Sequence, residues 1–379
     1  MKKIKVATLF SGIGAPEWAL KRLGVCYETV LACDNGDVEL DNTKFDYEEM
    51  RKKIFSFQSF EEEKELVDYL YSNYTRKTNF VKKSYLANYP DFSSDNYYLD
   101  VMLLNGKPLK GKVDLLVGGS PCQSFSTVGY QKGLNDPRGN LFFEYVRLVE
   151  EIQPKVFIYE NVSGIRSNKN KENWEKMREK INLEGYTVFE RLLNSTDFGI
   201  PQVRNRVFLI GFKDFSINDE DFQPKKRELY GYVNKFLINS TEDGGVSYDK
   251  NGDLVFSEKP GKVDDKYILT PAVYKYVTSP GTKTYVSKIE FDRKIGRTLL
   301  STMGNHHRAG VDNYISDPRG LRALTERECL RLMGFTDDFK IVVSKGQMYK
   351  QIGNSMVVDV IMALLKEIFK TGIFGKYNH

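Results

Sequence analysis

The stretch from Val113 to Ser126 constrains the fold most, because an apolar run leads there into a stiff loop that carries a cysteine. Residues 113–117 read Val-Asp-Leu-Leu-Val, which is typical of a buried strand in a parallel sheet. Gly-Gly-Ser-Pro-Cys-Gln-Ser-Phe-Ser follows over 118–126, and its proline fixes the backbone on the approach to Cys122. Ligands in open α/β sheets bind at the carboxyl ends of strands. The pattern predicts an α/β fold with Cys122 as a candidate nucleophile, although an isolated cysteine is more often a buried structural residue.

The amino-terminal segment repeats this arrangement of a strand followed by a binding loop. Ile4–Phe10 predicts a strand, Ser11–Ala15 a tight glycine loop, and Pro16 the first turn of a helix that ends near Leu23. With two glycines, the loop is a weak indication of a dinucleotide site. The next strand ends at Asp34, where such folds hold ribose hydroxyls, although an aspartate there is more often a helix cap.

Two further motifs bring charged groups to the predicted sheet. The apolar run 156–159 ends in Glu160-Asn-Val, which predicts a carboxylate at the same sheet edge as Cys122, with helix capping as an equally common use of such a glutamate. Farther along, Arg204 and Arg206 alternate with the period of a strand, so we expect both side chains on one face.

Composition narrows the class of protein. The chain has 379 residues, 41% of them hydrophobic, and a net charge of +5, which suits a polyanionic partner without proving one. It lacks a run of 18 apolar residues, and Met1-Lys-Lys-Ile-Lys-Val enters a strand directly, so we expect a cytoplasmic protein with no membrane partner. The cysteines and histidines are Cys26, Cys33, Cys122, Cys329, His306, His307 and His379. Their spacing contains no C-x-x-C pair, so we expect neither a disulfide framework nor a metal.

Two segments depart from the strand-and-loop pattern. Residues 36–96 contain Lys/Glu runs mixed with Phe and Tyr, and predict one or two surface helices with a solvated charged face. Residues 213–295 are punctuated by Gly and Pro pairs, and predict a small β-rich lobe. We therefore expect a catalytic domain over 1–212 with a charged insertion at about 36–96, a second domain over 213–295, and a return to the first domain over 296–379.

The Gly-x-Pro-Cys-Gln-x-Phe-Ser stretch around Cys122 resembles the catalytic loop of the DNA (cytosine-5) methyltransferases of bacterial and phage restriction-modification systems. Phe10-Ser-Gly-Ile-Gly, Glu160-Asn-Val, Gln202-x-Arg-x-Arg and Gln351-x-Gly-Asn-Ser resemble other motifs of this family, in the family's order. The resemblance implies an S-adenosylmethionine-dependent methyltransferase (Rossmann-like) fold. It consists of a mixed sheet with helices on both faces, plus a smaller β-rich target-recognition domain over 213–295.

The resemblance also implies site residues. The catalytic residues would be Cys122, Glu160, Arg204 and Arg206, with the first arginine helping to hold the target base and the thiolate. The S-adenosyl-L-methionine site would include Phe10, Ser11, Gly12, Gly14, Asp34, Asn35, Asp100, Val101, Pro121, Leu141, Asn354 and Ser355. Duplex DNA would contact Gln123, Ser126, Arg138 and Thr298. The chain departs from the family at Ala15, where a second glycine is usual, and at Val128, a polar intrusion site in some members.

The implied reaction is methylation of cytosine carbon 5 within a specific DNA sequence. Cys122 would add to carbon 6, Glu160 would protonate or hydrogen-bond ring nitrogen 3, and Arg204 would stabilise charge on the carbonyl oxygen. The base must leave the stack for this to happen. We expect a monomer, with any cognate restriction endonuclease acting as a separate protein. Two alternatives stay open: a transfer-RNA cytosine-5 methyltransferase, against which the lack of a Cys-Phe-Thr insertion argues, and a non-catalytic DNA-binding relative.

Overall fold

The computed structural model describes residues 3–41, 43–44, 46–121, 140–166, 171–183, 185–238, 244–258, 261–279, 281–282, 285–286, 289–304, 306–308 and 310–375. Four predicted site residues lie outside the described residues: Cys122, Gln123, Ser126 and Arg138.

A seven-stranded mixed sheet forms the centre of the fold. Its strands are β1 (Ile4–Leu9), β2 (Tyr27–Cys33), β3 (Tyr97–Tyr98), β4 (Leu115–Gly118), β5 (Val156–Val162), β6 (Tyr186–Asn194) and β7 (Asn205–Lys213). They lie in the order β3-β2-β1-β4-β5-β7-β6. Strands β1 to β5 are parallel, and β7 is antiparallel to both β5 and β6. The predicted α/β class is confirmed, and β5 extends to Val162, so that Glu160 lies within the strand.

Helices cover both faces of the sheet. They are α1 (Ala15–Arg22), α2 (Tyr47–Ser56), α3 (Phe60–Tyr74), α4 (Phe80–Asn88), α5 (Asn140–Ile152), α6 (Lys171–Leu183), α7 (Pro271–Val277), α8 (Glu326–Arg331), α9 (Lys345–Asn354) and α10 (Val358–Lys370). Alternate strand residues enter two separate cores, as when Leu115 and Val117 join the α1/α10 side while Leu116 joins the α5/α6 side. This alternation is what a strand buried on both faces requires. No described helix combines the length and apolarity needed to cross a bilayer.

The described part of residues 36–96 forms three α-helices and a 3-10 turn (Ser94–Asn96), where the sequence predicted one or two surface helices. Each helix begins at a side-chain cap: Asp46 accepts from the backbone N–H of Glu49, Ser59 from that of Glu62, and Asn79 from that of Lys82. Most of the charges are exposed, as predicted, but the inner faces pack into the core through buried side chains. These are Ile54, Glu63, Val67, Leu70, Tyr71, Ser84 and Tyr85. The insertion therefore packs into the two cores that flank the central sheet.

Among the residues that the structure describes, three antiparallel strand pairs follow in the second half of the chain: β8 (Gly244–Tyr248) with β9 (Leu254–Glu258), β10 (Gly281–Thr282) with β11 (Tyr285–Val286), and β12 (Tyr314–Asp317) with β13 (Gly320–Ala323). Val246 and Leu254 of the first hairpin belong to the α1/α10 core. Val277, Tyr314 and Leu321 form a small core of their own. The division into domains at residues 213 and 295 stays a prediction.

The last helices pack around the carboxyl-terminal motif. The Gln351-Ile-Gly-Asn stretch forms the last turn of α9, and α10 begins at Val358. Helix α8 opens with a capping box of Thr325 and Glu328 and ends at Arg331. Leu332 already has its backbone N–H shared between two carbonyls of the preceding turn, which marks the helix end.

Candidate active site

The predicted site residues that the structure describes lie mainly along one edge of the sheet. Following the strand order from β3 to β5, this edge carries Asp100, Asp34, the loop Phe10–Gly14, the loop Gly119–Pro121, and Glu160. All follow or end parallel strands. The edge is therefore the binding side of an open α/β sheet.

The glycine loop turns sharply between β1 and α1. Phe10, Gly12 and Gly14 have φ angles of 53°, 54° and 77°, all left-handed. A Cβ on Gly14 would lie 2.3 Å from the ring of Tyr89, so only glycine fits there. Ser11 is buried, and its Oγ accepts a hydrogen bond from the backbone N–H of Cys33 at 2.8 Å, which holds the loop against β2.

Asp34 supports the same loop from the end of β2. Its carboxylate accepts from the backbone N–H of Gly12 at 2.9 Å and of Gly36 at 2.8 Å. Desolvation raises the pKa of Asp34 to about 6, although both hydrogen bonds act to lower it. Asn35 is partly buried beside it and accepts from the N–H of Asp37. The carboxylate is thus placed by main-chain groups next to the predicted cofactor loop.

Asp100 is held by the insertion. Its Oδ2 accepts from the hydroxyl of Tyr71 at 3.1 Å and lies 3.4 Å from that of Tyr47, while Oδ1 accepts from the N–H of Met102 at 2.9 Å. Desolvation raises the pKa of Asp100 to about 6. Val101 beside it is buried. Neither tyrosine was predicted as a site residue; the spacing of Val67, Leu70 and Tyr71 along a helix was the available signal.

Glu160 lies directly against the loop that leads to Cys122. A Cβ placed on Gly119 would be 3.0 Å from Glu160 Oε2 and 2.9 Å from its carbonyl oxygen, so the two strand ends are in close contact. Ser120 is buried next to Gly119, and its Oγ lies 2.7 Å from the hydroxyl of Tyr159. Pro121 is exposed and directly precedes Cys122. The described end of this loop is therefore firmly held.

Arg206 pairs with Glu160. Nε of Arg206 lies 2.9 Å from Oε1 of Glu160, and both side chains are largely shielded, with 16% and 14% exposed. The two residues come from adjacent antiparallel strands, in which Arg206 is the register partner of Val162. A charge-assisted contact of this kind orients a carboxylate.

Arg204 is buried just before β7, and its guanidinium binds backbone carbonyls. Nη1 donates to Leu299, and Nη2 donates to Gly353 at 2.9 Å and Ser355 at 2.7 Å. Among the described residues, its Nε has no hydrogen-bond partner. Burial and the neighbouring charge of Arg206 lower the pKa of Arg204, yet arginine stays a cation at neutral pH. Its predicted contact with the target base stays a prediction.

The carboxyl-terminal motif reaches the site through close backbone packing. A Cβ on Gly353 would lie 2.1 Å from the backbone nitrogen of Ser301, so the motif's glycine lets α9 cross this segment. Ser355 is buried and Asn354 is exposed. Thr298 Oγ1 donates to the carbonyl of Val203 at 2.5 Å, beside the arginine pair.

Two further residues are Gln202, from the Gln-x-Arg-x-Arg motif, and Leu141, from the predicted cofactor site. Gln202 is fully buried, accepts from the N–H of Leu299 and donates to the carbonyl of Leu332, so it fastens the arginine segment to two later parts of the chain. Leu141 is partly buried at the start of α5 and packs into the α5/α6 core.

Comparison with known proteins agrees with this arrangement. The family model for the C-5 cytosine-specific DNA methylase matches residues 57–370. The type II methyltransferase M.HhaI of Haemophilus parahaemolyticus is 33% identical over 279 residues, covering 73% of this chain and 82% of that protein. M.FnuDI of Fusobacterium nucleatum, also a type II methyltransferase, is 32% identical over 283 residues, covering 69% and 77%.

Solved structures show the same fold. The Dnmt2 methyltransferase of S. pombe superposes with a TM-score of 0.66 at 18% identity, over 97% of this chain and 99% of that one. The methyltransferase EhMeth of Entamoeba histolytica gives 0.66 at 16% identity, over 98% and 99%. With the family model covering most of the sequence, the chain belongs to the C-5 cytosine-specific DNA methylase family and is a DNA cytosine-5 methyltransferase.

Proposed function

We propose that this enzyme transfers a methyl group from S-adenosylmethionine to carbon 5 of a cytosine in a specific duplex DNA sequence, through a covalent Cys122 adduct on an extruded base. The observation that carries the proposal is the closeness of Glu160 to Gly119, three residues before Cys122: a Cβ on that glycine would lie 3.0 Å from Glu160 Oε2. A thiol that follows this loop would share its sheet edge with an ion-paired carboxylate. That pair is what addition to a cytosine ring requires.

The residues at the β1, β2 and β3 ends suit an adenosyl group. Asp34 and Asp100 are carboxylates that can accept from ribose hydroxyls and from an exocyclic amino group, and the loop Phe10–Gly14 leaves backbone close to the ligand. S-Adenosylmethionine would supply a methyl group activated by a sulfonium. Both carboxylates would have to be ionised to accept most strongly.

Each catalytic side chain would act on a different atom of the cytosine ring. Carbon 5 becomes nucleophilic only after the Cys122 thiolate has added to carbon 6. Glu160, held in place by Arg206 through its 2.9 Å contact, would have to be protonated when the base is bound, so that it could donate that proton or a hydrogen bond to ring nitrogen 3. Arg204 would add positive charge near the carbonyl oxygen. After methylation, loss of the carbon 5 proton would release the thiolate.

Carbon 6 is inaccessible within a stacked duplex, so the target base would be extruded, at a cost of about a few kcal/mol. Partly exposed Thr298, next to the arginine segment, is suited to contact a phosphate of the displaced nucleotide.

Trapping with 5-fluorocytosine tests the proposal. Fluorine at carbon 5 cannot leave as a proton, so a duplex carrying it at the target should stall as a protein–DNA adduct that survives denaturation and requires S-adenosylmethionine. The target is first located by mapping 5-methylcytosine on a random-sequence plasmid treated with the purified enzyme. Transfer RNA serves as the parallel substrate. Methylation of transfer RNA with an unmodified plasmid would refute the duplex-DNA assignment, and methylated DNA without an adduct would refute the covalent route.

A further inference from the structure

The insertion over residues 36–96 reaches into the cofactor side of the sheet edge. Helices α2 and α3 each contribute one tyrosine whose hydroxyl contacts the same carboxylate oxygen. Tyr47 OH of α2 lies 3.4 Å and Tyr71 OH of α3 lies 3.1 Å from Asp100 Oδ2. The other oxygen, Oδ1, is occupied by the N–H of Met102. Asp100 is therefore fixed by the backbone on one side and by two side chains of the insertion on the other.

The insertion is also anchored beside Asp100 by charge. Arg51 lies one helical turn after Tyr47, on the same face of α2, and its Nη2 contacts both carboxylate oxygens of Glu144, at 2.9 and 3.1 Å. Arg147 pairs with the same Glu144 and donates to the carbonyl of Val101. The position of α2 relative to Asp100 is thus set by an ion-pair network on α5.

The tyrosine hydroxyls are suited to act on the charge of Asp100. Burial, followed by the charge of Asp100, raises the pKa of both tyrosines, so they stay protonated donors at every working pH. Asp100 is otherwise faced by Glu144 and Cys33, and desolvation raises its pKa to about 6. Hydrogen bonds that favour the carboxylate oppose that rise.

We propose that Tyr47 and Tyr71 are positioning residues of the cofactor site, which aim the Asp100 carboxylate and keep it ionised so that it recognises the amino group of the adenine ring. The inference rests on the proposed function, because Asp100 is assigned there to the adenosyl group. It gives the charged insertion a role in cofactor selection. A purely structural tyrosine would contribute packing through its ring, which a phenylalanine retains.

The test is binding of S-adenosylhomocysteine by calorimetry to the full chain, as wild type, Tyr47→Phe, Tyr71→Phe and the double variant, between pH 5.5 and 8. Loss of the shorter hydrogen bond in Tyr71→Phe should weaken binding about tenfold, and Tyr47→Phe about threefold. The pH at which affinity is lost should move upward in both. The preference for S-adenosylhomocysteine over S-inosylhomocysteine, which lacks the amino group, should decrease together with the affinity.

Two controls separate positioning from packing. Tyr69→Phe on the same helix α3 removes a hydroxyl from a ring that is 56% exposed, and should bind like wild type. In an Asp100→Ala background, Tyr71→Phe should have no further effect, because its partner is gone.

The outcomes distinguish this inference from the proposed function. If the wild type does not bind S-adenosylhomocysteine, the cofactor assignment fails and the inference fails with it. If the wild type binds it but the tyrosine variants keep its affinity, pH midpoint and amino-group preference, the inference alone is overturned. It is likewise overturned if the variants weaken both ligands equally while lowering thermal stability.

Discussion

Nε of Arg206 and Oε1 of Glu160 lie 2.9 Å apart across two antiparallel strands. This contact makes the glutamate part of a charged pair before any base arrives. Glu160→Gln should reduce the single-turnover methylation rate by about a hundredfold or more, since the acid acts on the reacting ring. Binding of S-adenosylhomocysteine should change little. Glu190→Gln, which alters an ion-paired glutamate on β6, is the matched control and should methylate normally. An equal loss in both variants would contradict a catalytic role for Glu160.

Cys122→Ser should abolish both methylation and the 5-fluorocytosine adduct while DNA binding survives, because a hydroxyl is far harder to ionise than a thiol. The other cysteines are poor substitutes. Burial raises the pKa of the Cys33 and Cys329 thiols well above the usual value, so neither supplies a thiolate at neutral pH. Peptide mapping of the adduct by mass spectrometry checks the assignment. An adduct on Cys26, Cys33 or Cys329 would place the nucleophile elsewhere.

The pKa values of Asp34 and Asp100, each about 6, predict opposite pH effects on binding and on stability. Affinity for S-adenosylhomocysteine should fall as the pH drops through 6, because protonation removes the charged acceptors. Both pKa values exceed the value of about 3.9 in an unfolded chain. The folded protein without cofactor therefore binds these two protons more tightly than the unfolded chain does. Its free energy of unfolding should accordingly increase as the pH falls from about 6 towards 4 and both carboxylates are protonated.

Calorimetry and urea denaturation of the same samples measure both effects. Asp100→Asn keeps the shape of the side chain but removes its titration, so it should flatten both pH dependences and weaken binding at pH 7.5. An Asp100→Asn variant with wild-type pH dependence would show that Asp100 does not titrate in this range.

Gly353→Ala should destabilise the fold, because the new Cβ would lie 2.1 Å from the Ser301 nitrogen and 2.3 Å from the Leu300 carbonyl carbon. Backbone atoms cannot move aside as side chains do, so we expect a loss of about 3 kcal/mol in the free energy of unfolding. Gly245→Ala is the control, since its nearest neighbour, Ser257 Oγ, would be 3.6 Å away. Urea denaturation of both variants compares them. Equal stability would mean that α9 and residues 300–301 are farther apart than the structure has them.

Target recognition should transfer with residues 213–295, since variable surface segments can change without disturbing a scaffold. The grafted segment should not include the first hairpin, β8 with β9, because that hairpin is tied to the rest of the fold. The N–H of Val246 donates to Asp337, and Val246 and Leu254 belong to the α1/α10 core. A graft of residues 261–295 into a relative of known specificity should therefore fold better than one of the whole segment. Mapping 5-methylcytosine in plasmid treated with each chimera gives the specificity. If a folded, active chimera that carries residues 213–295 keeps the methylation pattern of its scaffold, the assignment is wrong and the 36–96 insertion becomes the next candidate for target recognition.

The sequence correctly predicted that Asp34, Glu160 and the loop Phe10–Gly14 lie at one edge of the sheet, because each comes at the end of an apolar run and parallel strands bring their carboxyl ends together. Their roles stay predictions that rest on the family resemblance. The contacts of Tyr47 and Tyr71 could not be predicted, because their partner Asp100 is 53 and 29 residues away along the chain and nothing local marks a tyrosine hydroxyl as a donor. Alternation correctly indicated strand β7, but Arg204 precedes that strand, and its three carbonyl partners depend on tertiary packing.

The guanidinium of Arg204 connects distant parts of the chain. Its carbonyl partners at Leu299, Gly353 and Ser355 are 95, 149 and 151 residues farther along. During synthesis on the ribosome, the arginine segment emerges long before these carbonyls exist. A partly synthesised chain thus lacks the contacts that fix Arg204, although Arg206 and Glu160 are already present. A chain whose synthesis stops before Ser355 should therefore lack a fixed Arg204 and should not methylate DNA.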